Sequence, residues 1–353
     1  MSKTIVTITG IRPDFIRMSS IFKKLDRHFN HILVHTGQHY DKLLSDVFFK
    51  DLKIREPNFN LGIGGPGKEH FHVTSELSIK IIDLFREQSI NPDLIMFLGD
   101  SNSVCSAIPL KKEGYRLAHI EAGMRSGDKR MLEEINRTVC DHCSDYHFVY
   151  HTNYRNNLLN EGLNPKNIHV VGNTIVEVVK PIVDRFKPCP KMEHIILDIH
   201  RPENFKYEER LKKIVYLANE ASKAFNLPVK MLKFPRTQQM IEKFKIDLGK
   251  IEIIDLLPYV DYLDALWRCR VLISDSGTAQ EEPAFLSVPV LVPRDFTERP
   301  ESVANDCSVM VDLNKSGFCS ELEWAWLFTS PKTAWMGDGT TSDQIINVLK
   351  KEL

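Results

Sequence analysis

An α/β protein built in two halves is what the sequence predicts, and three observations carry that reading. Short apolar, β-branched runs alternate with helical stripes along most of the chain, the pattern of parallel strands joined by crossover helices. Several runs end directly on charged residues, among them Leu94 to Leu98 before Asp100, Arg116 to Ile120 before Glu121, and Ile195 to Leu197 before Asp198 and His200. The segment from Pro181 to Pro190 carries three prolines, and beyond it the alternation starts afresh. We therefore expect a first domain over 1–172 and a second over 173–335. A last helix, 340–353, comes too late to belong to a strand–helix pair and is expected to pack back on the first half. With 353 residues there is chain enough for two cores of ordinary size.

In the first half, Ile5 to Thr9 reads as a strand, and Gly10-Ile11-Arg12-Pro13 as a turn into a helix with apolar positions at Phe15, Met18, Ile21, Phe22 and Leu25. Ile32 to Val34 is the next strand, followed by a helix and then a loop from Glu56 to Lys68. Gly62 to Gly67 matches G-x-G-x-x-G on paper, but no apolar strand leads into it and Pro66 removes a backbone N–H, so it is read as a plain loop. His70 and His72, two apart, are read as solvated. A helix from Thr74 to Phe85 precedes the strand Leu94 to Leu98. Asp100 then points into the crevice where open α/β sheets hold ligands, or equally caps a helix from Ser103 to Lys112. Glu121 ends the next strand at the same edge. Leu132, Ile135, Val139 and Cys143 trace the apolar stripe of a helix on which Glu133 and Arg137 share another face; the plainer reading of that pair is a solvated salt bridge. Tyr146 to Val149 and Ile168 to Val171 are further strands.

In the second half, Leu211 to Ala224 is helical, and Val229 to Leu232 and Ile251 to Ile254 are strands. The stretch from Val271 to Glu301 reads as strand, tight turn, helix from Ala279 to Leu286, strand and charged loop. A helix opening on Ser276-Gly277-Thr278 presents free N–H groups to an anion, Glu282 sits one turn on where it can meet ribose hydroxyls, and Arg299 follows. Together they suggest a nucleotide diphosphate. Charged strand ends in both halves place the active site in a cleft between them.

Composition narrows the classes. A net charge of -1 argues against a nucleic-acid-gripping protein, and 42% hydrophobic with 26% charged residues is ordinary for a soluble globular chain. No apolar run reaches membrane-spanning length and the first residues lack a signal-peptide pattern, so a cytoplasmic protein is expected. Seven scattered cysteines make no disulfide framework, and Cys140 and Cys143 are read as free thiols rather than a zinc or redox pair.

A series of blocks then carries a resemblance: Gly10 to Met18, His35 to His39, Gly99-Asp100, His119 to Arg125, Glu133 to Arg137, Gly172 to Thr174, His200-Arg201, Asp275 to Gly277, Gln280 to Glu282 and Thr297 to Glu301. In order and spacing from residue 4 to about 312, the chain resembles the UDP-N-acetylglucosamine 2-epimerase family. The resemblance implies a glycosyltransferase-B type fold, two Rossmann-like domains facing across a cleft, with no cofactor or metal and commonly a homodimer. It implies UDP binding by Arg12, Ser276, Gly277, Glu282 and Arg299, joined by Tyr262 and Thr278, with Arg17 at the family's usual lysine position. Asp100, Glu121, Glu133 and His200 match positions implicated in catalysis. It also implies a non-hydrolysing reaction, elimination of UDP to a 2-acetamidoglycal and re-addition. The chemistry fits, because the C2 proton is not beside a carbonyl and inversion needs acid/base groups on both faces. Gln38 and His39 match part of an allosteric site. A hydrolysing epimerase, a glycosyltransferase of the same fold and an inactive UDP-sugar sensor are the rival readings.

The sequence departs from the glucosamine enzyme's pattern at Pro202, Tyr262 and Thr278, and in a shorter segment between Gly127 and Glu133. In these respects it resembles relatives acting on modified UDP-N-acetylhexosamines, such as 2-acetamido-2,6-dideoxy-L-hexoses or 2,3-diacetamido sugars.

Overall fold

The computed structural model describes residues 2–37, 46–65, 68–186 and 192–353. Gln38 and His39, Pro66 and Gly67, and Pro188 and Pro190 lie outside the described residues. The chain forms two compact units, Met1–Val178 with Met336–Leu353, and Val179–Trp335.

The first unit holds a seven-stranded sheet of β1 (Thr4–Thr9), β2 (Asn30–His35), β3 (Phe59–Asn60), β4 (Leu94–Leu98), β5 (Leu117–Ile120), β6 (Tyr146–Val149) and β7 (Ile168–Val170). Its order is β3-β2-β1-β4-β5-β6-β7 and every pairing is parallel. Chain order reverses between β1 and β4, so the turns leaving those two strands diverge and open a crevice. The helix Arg12–His28 starts directly on the first of them. Pro13 is tolerated in its first turn, and Asp14 Oδ2 accepts from Gly10 N at 2.7 Å and Ile11 N at 3.1 Å, satisfying donors at the helix start. Its apolar stripe is buried at every expected position, Phe15, Met18, Ile21, Phe22 and Leu25. The helix Thr341–Glu352 packs along it, burying Ile345, Ile346 and Leu349, with Lys24 Nζ 2.6 Å from Asp343.

Three expectations for this unit are corrected. The loop from Glu56 contributes the short edge strand β3. The stretch after Asp100 is a 3-10 turn, Asn102–Ser106, before a helix Ala107–Lys112, and its N-terminal flanking residue is Ser101. Most tellingly, the helix Leu132–Cys143 faces the other way: Leu132 and Ile135 are 51% and 54% exposed, while Glu134, Arg137, Cys140 and Asp141 are buried. Hydrogen bonds to neighbouring turns, described below, outweigh the apolar stripe.

The second unit holds a six-stranded sheet of β8 (His194–Asp198), β9 (Val229–Leu232), β10 (Glu252–Ile254), β11 (Cys269–Ser274), β12 (Val290–Val292) and β13 (Ser308–Met310). The order β10-β9-β8-β11-β12-β13, again parallel throughout, puts the reversal between β8 and β11. The helix Glu208–Phe225 buries Leu211, Ile214, Leu217, Ala218 and Ala221 against that sheet. The expected helix from Ala279 to Leu286 is instead two 3-10 turns, Thr278–Gln280 and Glu282–Leu286, broken at Glu281. Pro283 explains the break: it sits in the first turn of the second piece, where its missing N–H costs nothing, but it cannot continue a helix begun at Thr278.

Candidate active site

Both crevices are lined by the residues that end the strands beside them. In the first unit, the first turns of the helix Arg12–His28 supply Arg12, Asp14 and Arg17, the turn after β4 supplies Asp100, and the turn after β5 supplies Glu121. These turns are pressed together: a Cβ on Gly10 would come within 2.5 Å of Ser101 Oγ and 3.0 Å of Ser103 Oγ. Glu121 has φ +70°, a left-handed conformation that a non-glycine residue adopts only where its surroundings impose it. Its amide donates to Phe148 O at 3.1 Å, and its carboxylate pairs with Arg17 Nη1, the arginine being 2% exposed. Asp100 pairs with Arg137 Nη2. Asp14 is buried, which pushes its carboxyl up to about 7 against the lowering effect of its two backbone donors, and the negative charges of Asp100 and Glu121 add to the rise.

The helix Leu132–Cys143 reaches these turns with one face. Glu134 accepts from Ser126 N and Gly127 N at 3.0 and 3.1 Å, and Arg137 bridges Glu134 and Asp100. Asp141 accepts from His119 Nδ1 at 2.7 Å, Gly123 N at 3.1 Å and Arg125 Nη1 at 2.8 Å. Glu133 is half-buried on the same helix. Arg137 is buried, and its guanidinium bonds Glu134 and Asp100, so it is not half of a solvated surface pair. Cys140 and Cys143 are free thiols.

In the second unit, Asp275 accepts from His200 N, Arg201 N and Asn204 Nδ2 at 3.0, 3.1 and 2.9 Å, so one carboxylate fixes the whole turn after β8. Asp198 takes His200 Nδ1 and Ser274 Oγ, both at 3.0 Å. Burial works against the charged form of His200, but Asp198 and Asp275 outweigh it and raise its pKa; with Nδ1 engaged, Nε2 is the ring atom available to a ligand. Asp198, His200 and Asp275 have the spacing of a cation site, with ligand atoms within 4.8 Å. Each carboxylate oxygen already accepts a hydrogen bond from the chain, so the trio reads as the frame of His200.

Ser276 and Thr278 hydroxyls lie 3.0 Å apart on the turn after β11. Beneath them Arg299 donates through Nε to Glu281 and through Nη1 to Glu298, each at 2.7 Å, and Glu298 also receives Arg294 at 3.1 Å. A Cβ on Gly277 would overlap the Arg299 guanidinium and come within 2.5 Å of Glu298 Oε1, so the turn needs glycine there for close approach. Glu282 is buried and accepts from Tyr259 Oη at 2.8 Å. Tyr262 is held well above its ordinary pKa, first by burial and then by the nearby charges of Asp198 and Glu282, so its hydroxyl stays a donor. A short 3-10 turn, Thr278–Gln280, replaces the expected helix start, so the turn offers individual N–H and hydroxyl groups instead of a helix N-terminus.

The family model for UDP-N-acetylglucosamine 2-epimerase matches residues 23–350. The chain belongs to the UDP-N-acetylglucosamine 2-epimerase family. A homolog of that epimerase from Methanococcus maripaludis is 33% identical over 98% of the chain and 99% of the relative. A UDP-2,3-diacetamido-2,3-dideoxy-D-glucuronate 2-epimerase from Pseudomonas aeruginosa is also 33% identical, over 87% of the chain and 88% of the relative. Among solved structures, the Methanocaldococcus jannaschii UDP-GlcNAc 2-epimerase in complex with UDP-GlcNAc and UDP superposes with a TM-score of 0.90 at 32% identity, covering 99% of both chains. The chain is thus an enzyme of an epimerase family, and its fold is the pair of Rossmann-like α/β domains.

Reading the sequence as this family missed the residues that hold the site together. Asp14, His119, Glu134, Asp141, Asp198, Glu281 and Glu298 are all buried acidic or imidazole groups next to named site residues. A signal was present on the helix Leu132–Cys143, where Glu134, Arg137 and Asp141 recur at i, i+3, i+7 and so share one face. The apolar residues Leu132, Ile135 and Val139 form a competing stripe on the same helix.

Proposed function

We propose that the chain is a non-hydrolysing UDP-N-acetylhexosamine 2-epimerase that needs no cofactor. The observation that carries this is the grouping of Asp100 and Glu121 at one crevice, each bound by its own arginine, with the neutralisable Asp14 beside them. One carboxylate removes H2 while the C1–O bond to UDP breaks and C1=C2 forms. A protonated group then returns a proton to the opposite face of C2 as the UDP oxygen re-forms the bond to C1. Closely grouped carboxylates with different partners keep one protonated and another ionised, as this requires. Glu133 is assigned to the same set. UDP is held by Arg12, Tyr262, Ser276, Gly277, Thr278 and Glu282, with Arg299 supporting the turn from below. His200, raised in pKa, stabilises the departing diphosphate as charge develops. The substrate is a UDP-N-acetylhexosamine, and likeness to the Pseudomonas enzyme keeps modified sugars among the candidates.

We assign the enzyme to the cytoplasm because a UDP-sugar carries a charged diphosphate that does not cross a lipid bilayer unaided; no helix among the described residues is long and apolar enough to span one. A homodimer is the proposed assembly. The adjacent helices His70–Glu87, Ala107–Lys112 and Leu132–Cys143 leave Phe71, Ile79, Ile108, Leu132 and Ile135 exposed, an apolar surface suited to a second copy.

The test is an NMR time course in D2O with UDP-GlcNAc, a 6-deoxy analogue and a 2,3-diacetamido analogue. Deuterium entering C2 of an intact UDP-sugar supports the reading; steady accumulation of free UDP and sugar, or no exchange in any of them, rejects it.

A further inference from the structure

Outside the reacting carboxylates, the most constrained titratable group is His119, the penultimate residue of β5. It is fully buried, with Nδ1 2.7 Å from Asp141 Oδ1 and Nε2 2.7 Å from Gly99 O. A backbone carbonyl can only accept, and a carboxylate held by Arg125 and by Gly123 N is ionised and can only accept. Both ring nitrogens must therefore donate, which makes the ring an imidazolium.

The two acceptors are what give this charge a role. Gly99 has φ +71° and immediately precedes Asp100. Asp141 grips Gly123 and Arg125, so that Glu121, itself in a left-handed conformation, lies between two points fixed by one ion pair. We propose that His119, as a buried imidazolium paired with Asp141, is a positioning residue that sets the spacing of the Asp100 and Glu121 carboxylates. It touches neither reacting atom: it fixes the backbone from which each carboxylate projects. The electrostatic surroundings agree with the geometry. Burial opposes the charge, but Cys140 and Asp141 hold the ring well above the ordinary histidine range. The groups facing the pair are Cys140 on the same helix as Asp141, Arg125 from the loop after β5, and His147 from β6, whose Nε2 lies 2.7 Å from Asp141 O.

The proposal deepens the epimerase reading and depends on it only for its kinetic arm. The first measurement is independent of activity: the histidine ring ¹⁵N spectrum of the whole protein, assigned with His119→Gln. The expected result is two protonated ring nitrogens on His119 at about pH 8, where a free imidazole is neutral; one unprotonated nitrogen there overturns the proposal. The second uses UDP-GlcNAc or whichever UDP-N-acetylhexosamine the wild type turns over. His119→Gln lowers kcat about 10- to 100-fold with KM and UDP affinity within about twofold. Asp141→Asn retains activity near pH 6 and loses it as pH rises through the ordinary histidine range near 6.5, whereas the wild type does not. Unchanged kcat in His119→Gln, or a loss in Asp141→Asn that is uniform across pH, overturns it. A wild type that turns over none of the sugars rejects the epimerase reading alone, since the ring spectrum still decides the state of His119.

Discussion

Glu121 and Gly277 show how single residues are bound to their places by opposite demands. Glu121 accepts backbone strain because its side chain has to meet Arg17 from the end of β5; Gly277 gives up a side chain because Arg299 and Glu298 occupy that volume. For Glu121→Gln and Asp100→Asn we expect loss of solvent-deuterium exchange at C2 by about 10²- to 10⁴-fold, the usual contribution of a positioned acid or base, with UDP affinity unchanged within about twofold. Exchange at the wild-type rate would remove them from the mechanism. Gly277→Ala should do the reverse: calorimetric UDP binding should weaken at least about tenfold, because the added methyl displaces the Arg299–Glu298 pair under the turn. The types at these positions were legible in the sequence. The strain and the crowding were not, since neither φ nor the approach of Arg299 is encoded locally.

At the scale of elements, the helix Leu132–Cys143 is where sequence pattern and structure part. Its apolar residues predicted a buried stripe, yet it is Glu134, Arg137 and Asp141 that turn inward. Buried ionised groups with several partners each are costly to expose unpaired, and they set the helix's rotation. This makes its stability pH-dependent in a definite direction. Burial alone would raise the Asp141 carboxyl, but His119, Arg125 and His147 hold it down at about 2, below its ordinary 3.8. Its contribution is therefore fully present above about pH 4 and is lost as pH falls toward 2. His31 adds a slope of the same sign higher up: burial keeps its pKa lowered from 6.5 to about 4, so stability falls as pH drops through that interval. Between pH 7 and 4 the Asp14 carboxyl, raised to about 7 by burial, works against His31, because a carboxyl protonated in the folded state gains stability as pH falls. Urea midpoints should therefore fall clearly only below about pH 4, and Asp141→Asn should flatten that section; an unchanged slope in that variant would sink this account. The C-terminal helix was easier to place in kind than in effect. Leu349 is fully buried, and Leu349→Ala should cost about 2–5 kcal/mol in denaturant unfolding of the first unit.

For the molecule as a whole, the outward-facing Leu132 and Ile135 acquire a meaning once the helix is seen rotated. If a second copy covers them, Ile135→Glu should yield a monomer by light scattering while its ultraviolet circular dichroism stays that of the wild type. A dimer that survives this change would place the interface elsewhere. Both sheets follow one plan: parallel strands, one reversal of order, and the candidate site residues on the turns beside it. That plan was legible, because strands buried on both faces read as unbroken apolar runs and a charge directly after such a run has few places to go.

The sequence by itself determined the two parallel α/β halves, the family, and most of the residues that end the central strands, since alternation and strand-end chemistry are local properties. Only the tertiary structure decided how those residues are held: Arg17 on Glu121, Arg137 on Asp100, Asp275 across the turn of His200, and a doubly bonded His119 behind the turns of Asp100 and Glu121. The physical reason is that a buried charge chooses its partner by three-dimensional proximity. Residues 20 or more apart in the chain meet only after the sheet has formed, as His119 and Gly99 do at 20 and Arg17 and Glu121 at 104.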